Sequence, residues 1–235
     1  MDLRHLRILR LSRNLIGFYD GRVPGLRFSA EPNWVDDGAL SLGICSYAVV
    51  DGGEALVYDT HVSVEHAAAI RRHLEVLGVR RITVVLSHWH LDHIAGAAAF
   101  ADCEIAAARL TGEILGRERA AIEAGTSGDG PPPVSPLVPP TTLLEEDTRL
   151  KVGTLRVVAR PFTIHTADGL VVHLPDEGVL LAGDTLEDTV TYVSEPEALA
   201  THLGELERLR RLEASRISPT TAARACSRCR ATARG

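Results

Sequence analysis

Ile82-Thr83-Val84-Val85-Leu86-Ser87-His88-Trp89-His90-Leu91-Asp92-His93-Ile94-Ala95-Gly96 is the stretch whose reading decides the fold. An apolar run of strand type feeds directly into three imidazoles and a carboxylate. These nitrogen and oxygen donors suit Zn²⁺, Fe or Mn. Residues i and i+2 of an extended segment point the same way, so His88 and His90 can grip one metal. Asp92 and His93 fall where Ile94–Phe100 begins a helical pattern, and they can turn toward a second. Histidine makes up 10 of 235 residues, so a pattern this compact at a strand end marks a metal site rather than a chance gathering.

Working outward, Ala55–Tyr58 reads as a strand ending in Asp59-Thr60-His61, and apolar spacing predicts a helix over 62–78 with Gly78 as its stop. With the strand at 81–86 this makes a strand–helix–strand unit of the kind that pairs its strands in parallel. Upstream, 8–11, 14–19 and 40–50 read as strands, the last ending at the turn Asp51-Gly52-Gly53. Downstream come a small-residue helix, a short strand at 104–108 and a charged helix over 110–124. Gly125 to Pro140 is the clearest linker, either a domain boundary or a loop near the site. A hairpin at 148–159, strands at 170–174 and 179–181, and a helix over 195–213 follow, with Leu199, Leu203, Leu206 and Leu209 on one side. His66 and His73 are expected to be solvated on their helix, and Trp89 to pack beside the site.

The pattern is mixed α/β, with two sheets and outer helices. Its polar clusters follow strands: Asp59-Thr60-His61, His88–His93, His165 and Gly183-Asp184-Thr185. Ligands collected from strand ends are expected of a site on one edge of stacked sheets. Over roughly 12–219 these motifs, with Thr166 after His165, resemble the metallo-β-lactamase superfamily in its glyoxalase II-like hydrolase branch. The resemblance implies a four-layer αββα sandwich with a two-metal centre at one edge. By it, His88, His90 and His165 would bind the first metal. Asp92 and His93 would bind the second, with Asp184 bridging the two. Asp92 could also steer the nucleophile and receive its proton, and Asp59 would hydrogen-bond to ligands and fix their orientation. The cofactor expected is one or two Zn²⁺ ions, with Fe or Mn also compatible with these donors.

The 45 % hydrophobic content can bury a substantial core. A net charge of −6 argues against nucleic acid as a partner. No apolar run approaches the roughly 20 residues needed to span a bilayer. Met1–Arg7 breaks its apolar residues with charges, unlike a secretory signal, and the cysteines suggest no disulfide framework. The expectation is a cytoplasmic protein acting on a small molecule without a membrane partner.

The family pattern needs one more histidine, usually in Pro-x-His-Gly after the last helix. Here that segment reads Pro219-Thr220-Thr221-Ala222-Ala223. Residues 220–235 are Ala- and Arg-rich and lack Leu, Ile, Val, Asp and Glu, so they read as a disordered tail appended to a domain over 1–219. Losing one A from CCG-AAC-CAC-GGC-GGC, which encodes Pro-Asn-His-Gly-Gly, gives CCG-ACC-ACG-GCG-GC, read as Pro-Thr-Thr-Ala-Ala. The hypothesis is a frameshifted ending, and sequencing the gene across Pro219 tests it. Cys226-Ser227-Arg228-Cys229 has no second pair to complete a zinc knuckle.

The function expected is a metal-dependent hydrolase in which a metal-bound hydroxide attacks an ester, thioester, lactone or related bond. A bridging Asp184 points to the general hydrolase branch rather than to true β-lactamases. Losing the last histidine leaves a second reading, a catalytically impaired or inactive metal-binding protein of the same fold.

Overall fold

Seven strands form the first sheet in chain order: β1 (Arg7–Arg10), β2 (Leu15–Asp20), β3 (Ile44–Asp51), β4 (Glu54–Tyr58), β5 (Arg81–Val85), β6 (Glu104–Ala108) and β7 (Thr142–Leu144). Five more, β8 (Thr148–Val152), β9 (Leu155–Pro161), β10 (Leu170–Leu174), β11 (Val179–Gly183) and β12 (Arg216–Pro219), form the second in the order β12-β11-β10-β9-β8. The computed structural model describes residues 1–188, 191–193 and 195–223. Pairing is antiparallel from β1 to β4 and parallel from β4 to β7. The change has a simple cause. The two-residue turn Gly52-Gly53 returns β4 antiparallel to β3, while the helical crossover α2 (Val64–Val76) returns β5 parallel to β4.

Side-chain alternation sorts the core into layers. Along β3 and β4, Tyr47, Val49, Leu56 and Tyr58 point between the sheets, where they meet Val157, Val172 and Leu181 of the second sheet. Ala48, Ala55 and Val57 point the other way, toward Ile70 and Leu74 of α2 and Leu115 and Ile122 of α4 (Arg109–Ala124). α5 (Leu199–Arg210) covers the far face of the second sheet, where Phe162, Ile164, Val171, Leu180 and Leu209 cluster. The four layers are the αββα arrangement expected from the sequence.

Four local expectations are corrected. Leu40-Ser41-Leu42 is helical (α1) and continues a π-helix over Trp34–Ala39, capped by Asn33, so β3 begins only after Gly43 at φ +88. The helix read over 62–78 spans Val64–Val76, with Ser63 as its N-cap. His66 is fully buried, bonded to Ser63 and at 3.1 Å from Asp20, because α2 presses that turn against β2; His73 is half-buried. On α5, Leu199, Leu203 and Leu206 face solvent, and the buried residues are His202 and Leu209. The Arg208 guanidinium lies 3.7 Å over the Phe162 ring and covers sheet surface that the leucine stripe does not reach.

Chain grouped by composition with the tail packs into the domain as far as Ala223. Thr220 and Thr221 are buried, Cys45 N–H donates to the Thr220 carbonyl (2.9 Å), and Ala222 N–H donates to that of Gly43 (2.9 Å). Composition could not register this, because the contacts are backbone hydrogen bonds to a strand about 175 residues away. The rest of that tail, with Cys226 and Cys229, lies outside the described residues. Among the described residues no helix is long and apolar enough to cross a membrane.

Candidate metal centre

Each donor stands just past a strand. The chain leaves β5 and turns at His90 (φ −62, ψ 147), so that Asp92 and His93 sit in the single turn of α3 (Leu91–Ile94). Asp59 follows β4 in the left-handed region (φ +64), His165 lies between β9 and β10, and Asp184 follows Gly183. Gly183 is at φ +57, and a Cβ there would stand 2.8 Å from Ser87 Cβ and 2.9 Å from the Tyr58 hydroxyl. Only a residue without a side chain lets β11 deliver Asp184 against the histidine turn.

Donor atoms of His88, His90 and His165 lie within 4.8 Å of one another, as do those of His88, His93 and Asp184. His165 Nε2 is 3.2 Å from His90 Nδ1, and His93 Nε2 is 3.3 Å from Asp184 Oδ2 and 3.6 Å from Asp92 Oδ1. Two donors on one tetrahedral Zn²⁺, at about 2.0–2.1 Å from the ion, stand roughly 3.3 Å apart. These separations suit shared ions.

The outward nitrogens of His88, His93 and His165 are engaged. His165 Nδ1 is 2.7 Å from the Tyr192 carbonyl, a hydrogen bond that needs the proton on Nδ1 and leaves the Nε2 lone pair facing His90. His93 Nδ1 bonds to Asp59 Oδ2 at 2.9 Å, and His88 Nδ1 to Ser87 Oγ at 3.0 Å. Among the described residues His88 Nε2 is buried with no hydrogen-bond partner, and His93 Nε2 faces only the carboxylates of Asp92 and Asp184. Buried polar atoms are normally paired, so an orphaned nitrogen beside carboxylates fits a metal ion. Asp59 also accepts from Ser87 N–H (2.7 Å) and the Thr220 hydroxyl (3.0 Å).

The electrostatics divide the histidines into two kinds. Burial, then neighbouring histidines, depress His88 and hold His90 down at about 3; burial also lowers His165. All three imidazoles are therefore neutral near pH 7, the state a ligand requires. Burial lowers His93 as well, but the carboxylates of Asp92, Asp184 and Asp59 outweigh it and drive its pKa up. Burial raises Asp92. It also raises Asp184, where the adjacent His93 reverses the direction and holds the carboxyl low. Among the described residues, the ion-pair partners of Asp59, Asp92, Asp184 and Glu187 are all histidines. A pocket with this many acids and no Lys or Arg beside them stabilises an added cation.

The structure groups His88, His90, His93, His165 and Asp184, leaves Asp92 outside these groups at 3.6 Å from His93 Nε2, and adds Glu187 and the Tyr192 carbonyl, which no sequence motif contained. Thr221 stands at the centre, its N–H and hydroxyl donating to Asp184 at 3.1 and 2.9 Å. Glu187 joins His165 and Asp184 in a third group of donors within 4.8 Å. Burial and the charge of Asp184 push Glu187 up to about 7. Its one signal was that it is a ligand-type residue three positions past Asp184, whereas the Tyr192 carbonyl, being backbone, left none. Trp34, Leu42, Asp129 and Tyr192 help to wall a cleft of about 200 Å³ over the donors. The 125–140 segment is a loop beside this site, since Trp34 Nε1–H donates to the Pro132 carbonyl at 2.9 Å.

A sequence model of the metallo-beta-lactamase superfamily matches residues 42–221. Among curated proteins no sequence matches. Similar solved structures include the DIM-1 metallo-beta-lactamase exposed to ceftazidime, 20 % identical with a TM-score of 0.68 over 95 % of this chain and 92 % of that one. A metallo-beta-lactamase from Pontibacter korlensis is 18 % identical with a TM-score of 0.68, covering 92 % of this chain and 90 % of that one. FIM-1 from Pseudomonas aeruginosa, in its mono-zinc form, is 17 % identical with a TM-score of 0.66 over 93 % of this chain and 88 % of that one. At these identities the likeness is one of fold.

Proposed function

The chain belongs to the metallo-beta-lactamase superfamily, and on that premise we propose that it is a zinc-dependent hydrolase of an ester, thioester, lactone or related bond in a small molecule. The observation that carries this reading is the inward set of histidine nitrogens, that of His88 without a hydrogen-bond partner, beside carboxylates whose ion-pair partners among the described residues are all histidines. His88, His90 and His165 would hold one ion, and Asp92 and His93 a weaker second, with Asp184 between them. When bound, such an ion lowers the pKa of a water ligand towards about 7 and polarises the scissile carbonyl. Asp92 would receive the proton of the attacking water at Oδ1; its side chain is 21 % exposed at the cleft, and burial raises its basicity. Asp59 keeps the His93 proton on Nδ1, away from the donors. The size of the cleft supports a small substrate.

One observation favours a second reading, a metal-binding protein with impaired catalysis. Thr221, which already donates to Asp184 through two hydrogen bonds, occupies the place where the family pattern has a histidine. One test serves both readings: zinc-reconstituted protein is assayed against thioester, lactone, phosphodiester and β-lactam substrates. Turnover abolished by His88→Ala supports the hydrolase. No turnover, even with Thr220→Asn and Thr221→His combined, favours the binding protein.

A further inference from the structure

Glu187 lies in the loop that follows β11, outside every motif read from the sequence. Its side chain is 14 % exposed, and it shares the cleft with His90, Asp92, His165, Asp184 and Thr221. One bland role is to orient His165, since Glu187 Oε1 is 3.6 Å from His165 Nδ1. That role is already filled, because Nδ1 donates to the Tyr192 carbonyl at 2.7 Å, and 3.6 Å is beyond a hydrogen bond. Glu187 Oε1 instead accepts from the Tyr192 N–H at 3.3 Å, which anchors the carboxylate while Oε2 takes no hydrogen bond from any described residue. Burying an anion next to Asp184 is costly, and a cation or a proton sharing the space relieves that cost.

We infer that Glu187 is a metal ligand of this centre, grouped with His165 and Asp184, and that it supplies a protein donor on a side of the site where Thr221 has replaced histidine. The inference rests on the reading of the centre as a metal site. One observation independent of Glu187 points to an ion there: among the described residues the Nε2 atom of His88, a residue only 2 % exposed, has no hydrogen-bond partner. The chemical consequence is a harder donor set. Replacing an imidazole by a second carboxylate beside Asp184 favours oxygen-seeking ions, so Mn²⁺ gains relative to Zn²⁺.

The test uses the full chain, stripped of metal and titrated with Zn²⁺, Mn²⁺ and Co²⁺ against a chromophoric chelator. Wild type, Glu187→Gln, Glu187→Asp and His88→Ala are compared. Glu187→Gln keeps an acceptor for the Tyr192 N–H, so the loop anchor survives while the charge is lost. The expected result is a loss of affinity of roughly tenfold or more, larger for Mn²⁺ than for Zn²⁺. The visible Co²⁺ spectrum should also change in intensity, as a lost ligand requires and a merely structural role does not. Unchanged affinities and an unchanged Co²⁺ spectrum in both Glu187 variants would overturn the assignment, even if wild type binds metal tightly and His88→Ala does not. Wild type binding no metal at all would instead overturn the metal-site reading on which it rests. If Glu187→Gln fails to fold, Glu187→Asp decides by the same readings.

Discussion

Asp59→Asn is the substitution that separates shape from proton placement at this centre. Asp59 is fully buried, and its carboxylate accepts from Ser87 N–H through Oδ1 and from His93 Nδ1 and the Thr220 hydroxyl through Oδ2. A backbone N–H can only donate, so the asparagine must keep its oxygen toward Ser87 and present its NH₂ to His93 and Thr220. Thr220 can rotate its hydroxyl to accept. His93 can accept only by moving its proton from Nδ1 to Nε2, the atom 3.3 Å from Asp184 Oδ2. The protonated Nε2 then has no lone pair for a metal. Loss of one charge-assisted hydrogen bond costs about 1.5–3 kcal/mol, and disturbing a group that orients a ligand costs roughly 10–100-fold in metal affinity. For a chain of this size that stability loss lowers Tm by about 3–12 °C. Competition titration with Zn²⁺ and thermal melting of the metal-free protein measure the two effects separately. A variant that melts lower yet keeps wild-type affinity for every ion would refute the tautomer argument, leaving Asp59 a purely structural residue.

Gly96→Ala should be strongly destabilising, because its Cβ would stand 2.0 Å from the Thr60 carbonyl oxygen and 2.5 Å from Ala67 Cβ; overpacking of this kind costs about 1–3 kcal/mol or more, and urea unfolding measures it. Leu209→Ala should cost about 2–5 kcal/mol as a buried truncation, whereas Leu203→Ala, at 59 % exposure, should stay within about 0.5 kcal/mol. Equal losses in the same unfolding assay would show that α5 is rotated from the orientation described. Removing metal with a chelator should lower Tm, and restoring Zn²⁺ to about 100 times its Kd should return roughly 2.7 kcal/mol of stability. A Tm indifferent to zinc would contradict a site built around a cation.

What the sequence determined by itself was whatever depends on neighbours in the chain. Period-two and helical spacings placed most of the elements, and the His88–His93 run announced a metal site because its donors are packed into six consecutive residues. Asp59, His165 and Asp184 were legible for a related reason: each is a ligand-type residue directly after or between strands, and strands of stacked sheets end at a common edge. Only the tertiary structure could decide which groups meet across long separations. Thr221 reaches Asp184 from 37 residues away, Thr220 reaches Asp59 from 161, and Glu187 joins His165 through a loop without periodicity. The same limit explains His66, which bonds to Asp20 46 residues earlier, and the leucine stripe of α5, whose spacing is apolar but whose buried side is chosen by the sheet it covers. A local pattern encodes which face an element can bury. The partner it meets, and hence the proton and the charge at each donor, is a property of the packed chain.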